Sequence, residues 1–216
     1  MDPVSPSDGQ HRRERPQPGS AVLIIGPPAA GKSTLAKALV SLTGPAADLL
    51  LLDTVHRQQC PPPGGPGYHY EGEQLVLDDR PRLMRLALKG FNDLIHRYQD
   101  GTETAVPIVE FASADYAQAL AQLPALRAMR VCTLEITAPL DVLRIRNAAR
   151  AVVDQVPDVF LSASQAADTG AAVALADGRY RLVDTSVPPQ GSTLDMVCRQ
   201  LRDWQLYLTA DGLPTS

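Results

Sequence analysis

Apolar residues fill every position of Ala21-Val22-Leu23-Ile24-Ile25. A strand with one wet face alternates. An unbroken run rich in branched side chains is buried on both faces, as in parallel sheets. After a Gly/Pro-rich loop, Ser33 to Ser41 reads as a helix, with Leu35, Ala38, Leu39 and Leu42 at helical spacing, and Thr43-Gly44-Pro45 stops it. Leu49 to Leu52 is a second apolar strand that ends at Asp53, and the CPPPGGPG stretch at 60–67 is a loop. Leu83 to Tyr98 carries Leu83, Leu86, Ala87, Phe91, Leu94, Ile95 and Tyr98 on one stripe, the pattern of an amphipathic helix. Val106 to Val109 is a third strand that ends at Glu110, and another helix begins at Tyr116. Val131 to Ile136 is a fourth strand. Asp141 to Val153 reads as a helix that Pro157 breaks, and the Ala-rich stretch 158–176 is helical in parts. Tyr180 to Val183 is a fifth strand before Asp184-Thr185-Ser186. Thr193 to Leu208 is a final helix with Leu194, Val197, Leu201 and Trp204 on one stripe.

Strands that alternate with helices call for an α/β sandwich of three layers, a five-stranded parallel sheet covered on both faces and joined by right-handed crossovers. No internal repeat and no interdomain linker interrupts 21–208, so that span is expected to be one domain. Residues 1–20 are rich in Pro, Ser, Gly, Gln and Arg and read as a disordered leader, with 209–216 as a C-terminal tail.

Composition narrows the classes. Of the 216 residues 44% are hydrophobic but only 5% aromatic, so the core must be built from Leu, Val, Ile and Ala. A net charge of −4 and a pI near 5.5 argue against an extended nucleic-acid surface, although a local basic cleft stays open. Cys60, Cys132 and Cys198 are sparse and widely spaced, which suggests neither a disulfide framework nor a zinc site. No stretch approaches the roughly 20 apolar residues of a membrane helix, and the N-terminus lacks a signal-peptide core. The expectation is a soluble cytoplasmic protein, a monomer or a homodimer.

The chemistry is concentrated in Gly26-Pro27-Pro28-Ala29-Ala30-Gly31-Lys32-Ser33-Thr34, where Gly26 to Ser33 matches G-x-x-x-x-G-K-[ST]. Such a loop wraps a phosphate with its backbone N–H groups pointing inward, on a path that glycines permit. The helix that begins near Lys32 adds its unpaired N–H groups and positive dipole end. Gly26, Ala29, Ala30, Gly31, Lys32, Ser33 and Thr34 are thus the candidate ATP-binding set. Lys32 can reach the β- and γ-phosphates, and the Ser33 hydroxyl can ligate Mg²⁺. The bland alternative is a Gly-rich turn with an exposed lysine; the strand before the loop and the helix after it argue against that alternative.

With this loop, five strands in the expected places, and Leu143-Arg144-Ile145-Arg146-Asn147-Ala148-Ala149-Arg150 after the fourth strand, residues 21–208 resemble the P-loop kinase branch of the P-loop NTPases. That branch contains nucleoside monophosphate kinases and shikimate- and gluconate-kinase-like small-molecule kinases. The resemblance implies the sheet order 2-3-1-4-5, with the phosphate-loop strand central and a short lid at about 147–165. It implies that Asp53 orients an acceptor hydroxyl or takes its proton, where the plain alternative is a helix cap. It places Glu110 at Mg²⁺ or its water shell; a substrate contact is an equal reading, and an ordinary loop carboxylate the third. Arg146 and Arg150 match the lid arginines that close over ATP, on a helix where residues four apart share a face and from which Arg144 is displaced. A solvated basic face would explain them too. The loop 184–188 is implied to pack by the adenine ring through its backbone.

The acceptor is implied to bind between the second and third strands, at about 54–105. Arg57, one turn beyond Asp53, can pair with an acidic acceptor. Tyr68-His69-Tyr70 is either a moving cover over a ligand, with Tyr68 and Tyr70 as contacts, or a packed turn. Ser113 reads as the cap of the following helix, and Asp115 stays open.

The implied activity is transfer of the γ-phosphoryl group of ATP to a hydroxyl or phosphate of a small molecule. Two other classes compete. A regulatory NTPase without an acceptor is weakened by the absence of an N-K-x-D guanine motif. A polynucleotide kinase is weakened by the acidic balance.

Overall fold

The computed structural model describes residues 19–43, 47–51, 68–71, 74–77, 80–99, 106–110, 122–152, 155–166, 169–186 and 191–204. Strand β1 (Ser20–Ile25) is buried at every position, as its unbroken apolar run requires. Val22 and Ile24 face a core layer that holds Leu35, Leu39, Ile108, Leu134, Ile136, Val197 and Leu201. Ala21, Leu23 and Ile25 face the opposite layer, with Phe91, Ile95, Val109, Leu126 and Val131. Burial of each large aliphatic side chain stabilises the fold by about 1.5–3 kcal/mol.

Along the chain follow α1 (Lys32–Thr43), β2 (Ala47–Leu51), β3 (Tyr68–Glu71), β4 (Gln74–Leu77), α2 (Arg80–Gln99), β5 (Val106–Glu110) and the single turn α3 (Pro124–Arg127). Then come β6 (Arg130–Thr137), α4 (Leu140–Ala148), α5 (Asp158–Gln165), α6 (Gly170–Ala176), β7 (Tyr180–Asp184) and α7 (Gly191–Asp203). The main sheet has five strands in the order β2-β5-β1-β6-β7, all neighbours parallel. In order of the sheet strands along the chain this is 2-3-1-4-5, as expected. Helices α1 and α7 cover one face and α2 and α3 the other. The stripe on the last helix packs as its spacing predicts: Val197 and Leu201 are buried, and Leu194 and Trp204 lie against the same layer.

The structure departs from the sequence reading in three places. Tyr68–His69–Tyr70 is a strand and not a turn at the backbone level: β3 and β4 form an antiparallel pair with Tyr68 opposite Leu77 and Tyr70 opposite Leu75, an arrangement that bears on the turn alone and not on the cover. Helix α4 ends at Ala148, well short of Val153. The Arg150 N–H turns back to the Asn147 carbonyl at 3.1 Å. The Asn147 side chain, buried at the end of the helix, takes both backbone groups of Val156: its Nδ2 donates to the Val156 carbonyl at 2.8 Å, and its Oδ1 accepts the Val156 N–H at 3.0 Å. That pair folds the chain back where a longer helix would carry it away. Third, β1 takes in Ser20, the last residue assigned to the leader. Of the rest of the leader only Gly19 is described; residues 1–18, the tail and the helix expected from Tyr116 lie outside the described residues. Among those described, no helix is long and apolar enough to cross a membrane.

Candidate active site

The loop between β1 and α1 leaves the sheet at its centre, and its backbone path explains its glycines. Gly26 has φ 138°, and a Cβ there would sit 2.1 Å from the Ile136 carbonyl oxygen on the neighbouring strand. Gly31 has φ 100° and Ala29 has φ 62°. Ala29 therefore holds a left-handed conformation that costs an L-residue about 1–2 kcal/mol. Strain of this kind concentrates where a loop must aim its N–H groups at a ligand.

Lys32 opens α1 and is only 4% exposed. Its Nζ donates to the Pro27 carbonyl across the loop at 2.7 Å, which partners the buried ammonium within the cradle itself. The next residue, Ser33, is exposed, and its hydroxyl donates to a Glu110 carboxylate oxygen at 2.9 Å. Glu110 reaches this point because β5 pairs in parallel with β1, with Glu110 opposite Ile24 at the carboxyl end. Ligands of open α/β sheets bind at those ends.

A second cluster approaches from the other side of the loop. Thr185, just past β7, is buried. Its hydroxyl lies 2.7 Å from the Ala30 carbonyl and 3.0 Å from that of Thr137. Arg146 on α4 donates to the Thr185 hydroxyl at 3.3 Å and to the Thr185 carbonyl through its other terminal nitrogen. Asp184 accepts the Ser186 N–H at 2.8 Å; this backbone bond holds its carboxyl below the usual range and shapes the turn that presents Thr185.

Arg146 and Arg150 separate. Arg146 sits at the loop after β7, beside the phosphate loop. Arg150 lies beyond the end of α4, exposed, so the two do not share a helix face. Arg144 points elsewhere and makes a two-point contact with Asp158 on α5, at 2.5 and 2.6 Å. Those hydrogen bonds hold the Asp158 carboxyl below its ordinary value and the Arg144 guanidinium above its own. Gln155 Nε2 donates to the carbonyls of Ala148 and Arg150, and Gln165 Nε2 to that of Ala138. The Arg150 segment is thereby fastened at its neck.

Of the residues singled out in the sequence, Gly26, Ala29, Ala30, Gly31, Lys32, Ser33, Thr34 and Glu110 come together, with Arg146 adjacent. Asp53, Arg57, Ser113 and Asp115 lie outside the described residues. Tyr68 and Tyr70 are placed on β3 by their backbone. Thr185 and Asn147 were not marked; the signals for them were a strand-end position and a buried amide at a helix end. Away from the loop, Glu135 accepts hydrogen bonds from Tyr180 at 2.7 Å and Thr169 at 2.9 Å. Burial first, and then that carboxylate, push the Tyr180 phenol up to about 12. Burial also pushes the Cys132 thiol up to about 12, an unreactive state.

The oxygen donors at Ser33 and Glu110 fit a magnesium ion. It prefers one or two protein oxygens together with phosphate oxygens over a full protein cage, and here a hydroxyl and a carboxylate lie within hydrogen-bond distance beside the loop. Among the described residues no group of three or more His, Cys, Asp or Glu forms an alternative metal cluster.

Residues 22–168 match the AAA domain family. The chain belongs to that family. The matched span runs from Val22 in β1 through the Gly26–Ser33 loop, Glu110 and Arg146, while Asp184, Thr185 and Ser186 lie beyond it. The fold is shared with small-molecule kinases of low identity. A gluconokinase from Sinorhizobium meliloti 1021 superposes with a TM-score of 0.54 at 17% identity, over 90% of this chain and 95% of its own. A shikimate kinase from Acinetobacter baumannii in complex with shikimate gives 0.53 at 16%, over 92% and 96%. A sugar kinase from Janibacter sp. HTCC2649 gives 0.51 at 19%, over 91% and 100%. A comparison with curated proteins by sequence gives no match.

Proposed function

We propose that this protein is an ATP-dependent phosphotransferase that moves the γ-phosphoryl group to a hydroxyl or phosphate of a small molecule. The observation that carries the reading is the Ser33–Glu110 contact at 2.9 Å beside a loop of G-x-x-x-x-G-K-S sequence. A loop of phosphate-cradle sequence, a hydroxyl and a carboxylate lie together, the groups that a triphosphate and its metal would use. The kinase names of the fold neighbours add support, and gluconokinase, sugar kinase and the shikimate complex favour a hydroxylated acceptor.

In phosphoryl transfer the protein positions the reactants and neutralises charge that spreads over the moving group. In this reading the N–H groups of Ala29 to Thr34 bind the β-phosphate, and Lys32 exchanges the Pro27 carbonyl for the β/γ oxygens. Ser33 and Glu110 would hold magnesium, which would offset the negative charge of the phosphates. Arg146 supplies cationic charge from the far side, and Arg150 does so from the lid. Asp53 orients the acceptor, Arg57 pairs with an acidic group on it, and Tyr68 and Tyr70 lie along its path.

The test is release of ADP from Mg-ATP in the presence of a panel of sugars, sugar acids, nucleosides, amino acids and their phosphates. Acceptor-dependent release is expected. Release independent of any acceptor would transfer the case to a regulatory NTPase, and Lys32→Ala with unchanged ATP binding would remove the cradle assignment.

A further inference from the structure

We propose that Thr185 is a positioning residue for the phosphate loop, acting through the Ala30–Gly31 peptide. A hydroxyl has one proton to donate. Thr185 Oγ1 has two carbonyls in range, Ala30 at 2.7 Å and Thr137 at 3.0 Å. The Thr137 carbonyl already accepts the Thr185 N–H at 2.8 Å, and the shorter of the two distances assigns the hydroxyl proton to Ala30. The hydroxyl in turn accepts from Arg146 Nη1 at 3.3 Å. The polarity is therefore Arg146 to Thr185 to Ala30, a chain in which each bond strengthens the next.

The consequence lies on the other side of the peptide. In a planar trans peptide the C=O and the following N–H point in opposite directions. The Ala30 carbonyl is held toward Thr185, so the Gly31 N–H is held away from it, on the side where the loop cradles phosphate. Gly31 has φ 100° and no Cβ, so nothing within its own residue fixes that peptide plane. A rotation of the plane would turn a donor into a carbonyl facing the anion. The restraint has to come from outside the loop, and Thr185, itself only 2% exposed, is built to supply it. Arg146 is tied to the same hydroxyl, so the orientation of the cradle and the place of the arginine are set at one point.

This inference rests on the reading that the loop binds a polyphosphate. The experiment compares the wild type with Thr185→Val, Thr185→Ser and Thr185→Ala by calorimetric titration with magnesium tripolyphosphate and, separately, with adenosine. Thr185→Val is expected to weaken tripolyphosphate about tenfold, as for the loss of one neutral hydrogen bond. Adenosine affinity should fall less than tripolyphosphate affinity, because the loop 184–188 is implied to meet the adenine ring through its backbone, and Thr185→Ser should restore tripolyphosphate binding. Serine and alanine differ by the hydroxyl alone, so their ratio gives the same answer if the valine variant is poorly folded. Equal tripolyphosphate affinity in Ser, Ala and Val variants overturns the proposal, as does parallel loss of both ligands or loss of the fold in all three. A wild type that binds no tripolyphosphate instead removes the phosphate-loop reading beneath it.

Discussion

The Ser33 hydroxyl and the Glu110 carboxylate, 77 positions apart in the chain, are joined by a 2.9 Å hydrogen bond at the carboxyl ends of adjacent parallel strands. Neither residue is near the other in sequence; the pairing of β1 with β5 brings them together. Glu110→Gln keeps the size and a hydrogen-bond acceptor but removes the charge. It should lower Mg-ATP-dependent turnover roughly 10- to 100-fold and raise the magnesium concentration needed for half-maximal rate, while metal-free ATP binding changes little. Steady-state kinetics across a magnesium titration checks this; an unchanged magnesium requirement would sink the assignment of Glu110.

Two small residues of the loop should respond in opposite directions. Gly26→Ala places a methyl carbon 2.1 Å from the Ile136 carbonyl at a φ of 138°, so both clash and strain apply. A loss of about 2–5 kcal/mol is expected. Ala29→Gly removes a left-handed strain of about 1–2 kcal/mol. It returns part of that through the freer unfolded chain, for a net gain of up to about 1 kcal/mol. Urea unfolding of the two variants gives both signs directly.

Much of this is legible in the sequence, and what is not has two physical causes. The strand at 21–25 declares its double burial in every residue, and the loop sequence declares its ligand class. The order of the sheet followed from the resemblance. The β3–β4 pair escaped because Tyr68–Glu71 and Gln74–Leu77 are too short for a periodicity to stand out. The early end of α4 escaped because Asn147 is decided by Val156, nine residues ahead, and helix propensity carries no record of a tertiary partner. Thr185 escaped for the same reason at longer range: its importance lies in Ala30, 155 positions away.

Asn147 offers the next measurement. Asn147→Asp keeps the acceptor for the Val156 N–H but loses the donor to its carbonyl, and Asn147→Ala loses both. Each buried partner left unmet costs about 1–3 kcal/mol, and aspartate also sets a charged oxygen against the Val156 carbonyl, so both variants should be destabilised. Limited proteolysis should show faster cleavage between 148 and 156 in both. Cleavage no faster than in the wild type would mean the neck is held by other contacts.

The acid limb of stability follows from two depressed carboxyls. Asp158 is held down chiefly by the Arg144 hydrogen bond and Asp184 chiefly by the Ser186 N–H. A lowered folded-state value means that their contribution is present above the unfolded value, about 3.9. It is lost as pH falls through the folded one. Asp158→Asn and Asp184→Asn should therefore lower Tm near neutral pH, and the gap to the wild type should close as pH falls below about 4. A gap that stays constant with pH would assign the effect to something other than charge.

The central place of β1 also decides how the molecule comes apart. Its two neighbours and both core layers must be lost before its backbone bonds can open, whereas β2 and β7 each have a single neighbour in the sheet. Amide exchange should accordingly be fast at the two margins and slowest along 20–25, in the segment that opens only with the whole chain. The phosphate loop is rooted in that segment. A bound nucleotide therefore draws on the most protected part of the fold, and its binding energy should be read as slower global opening and not as the quieting of a local fluctuation.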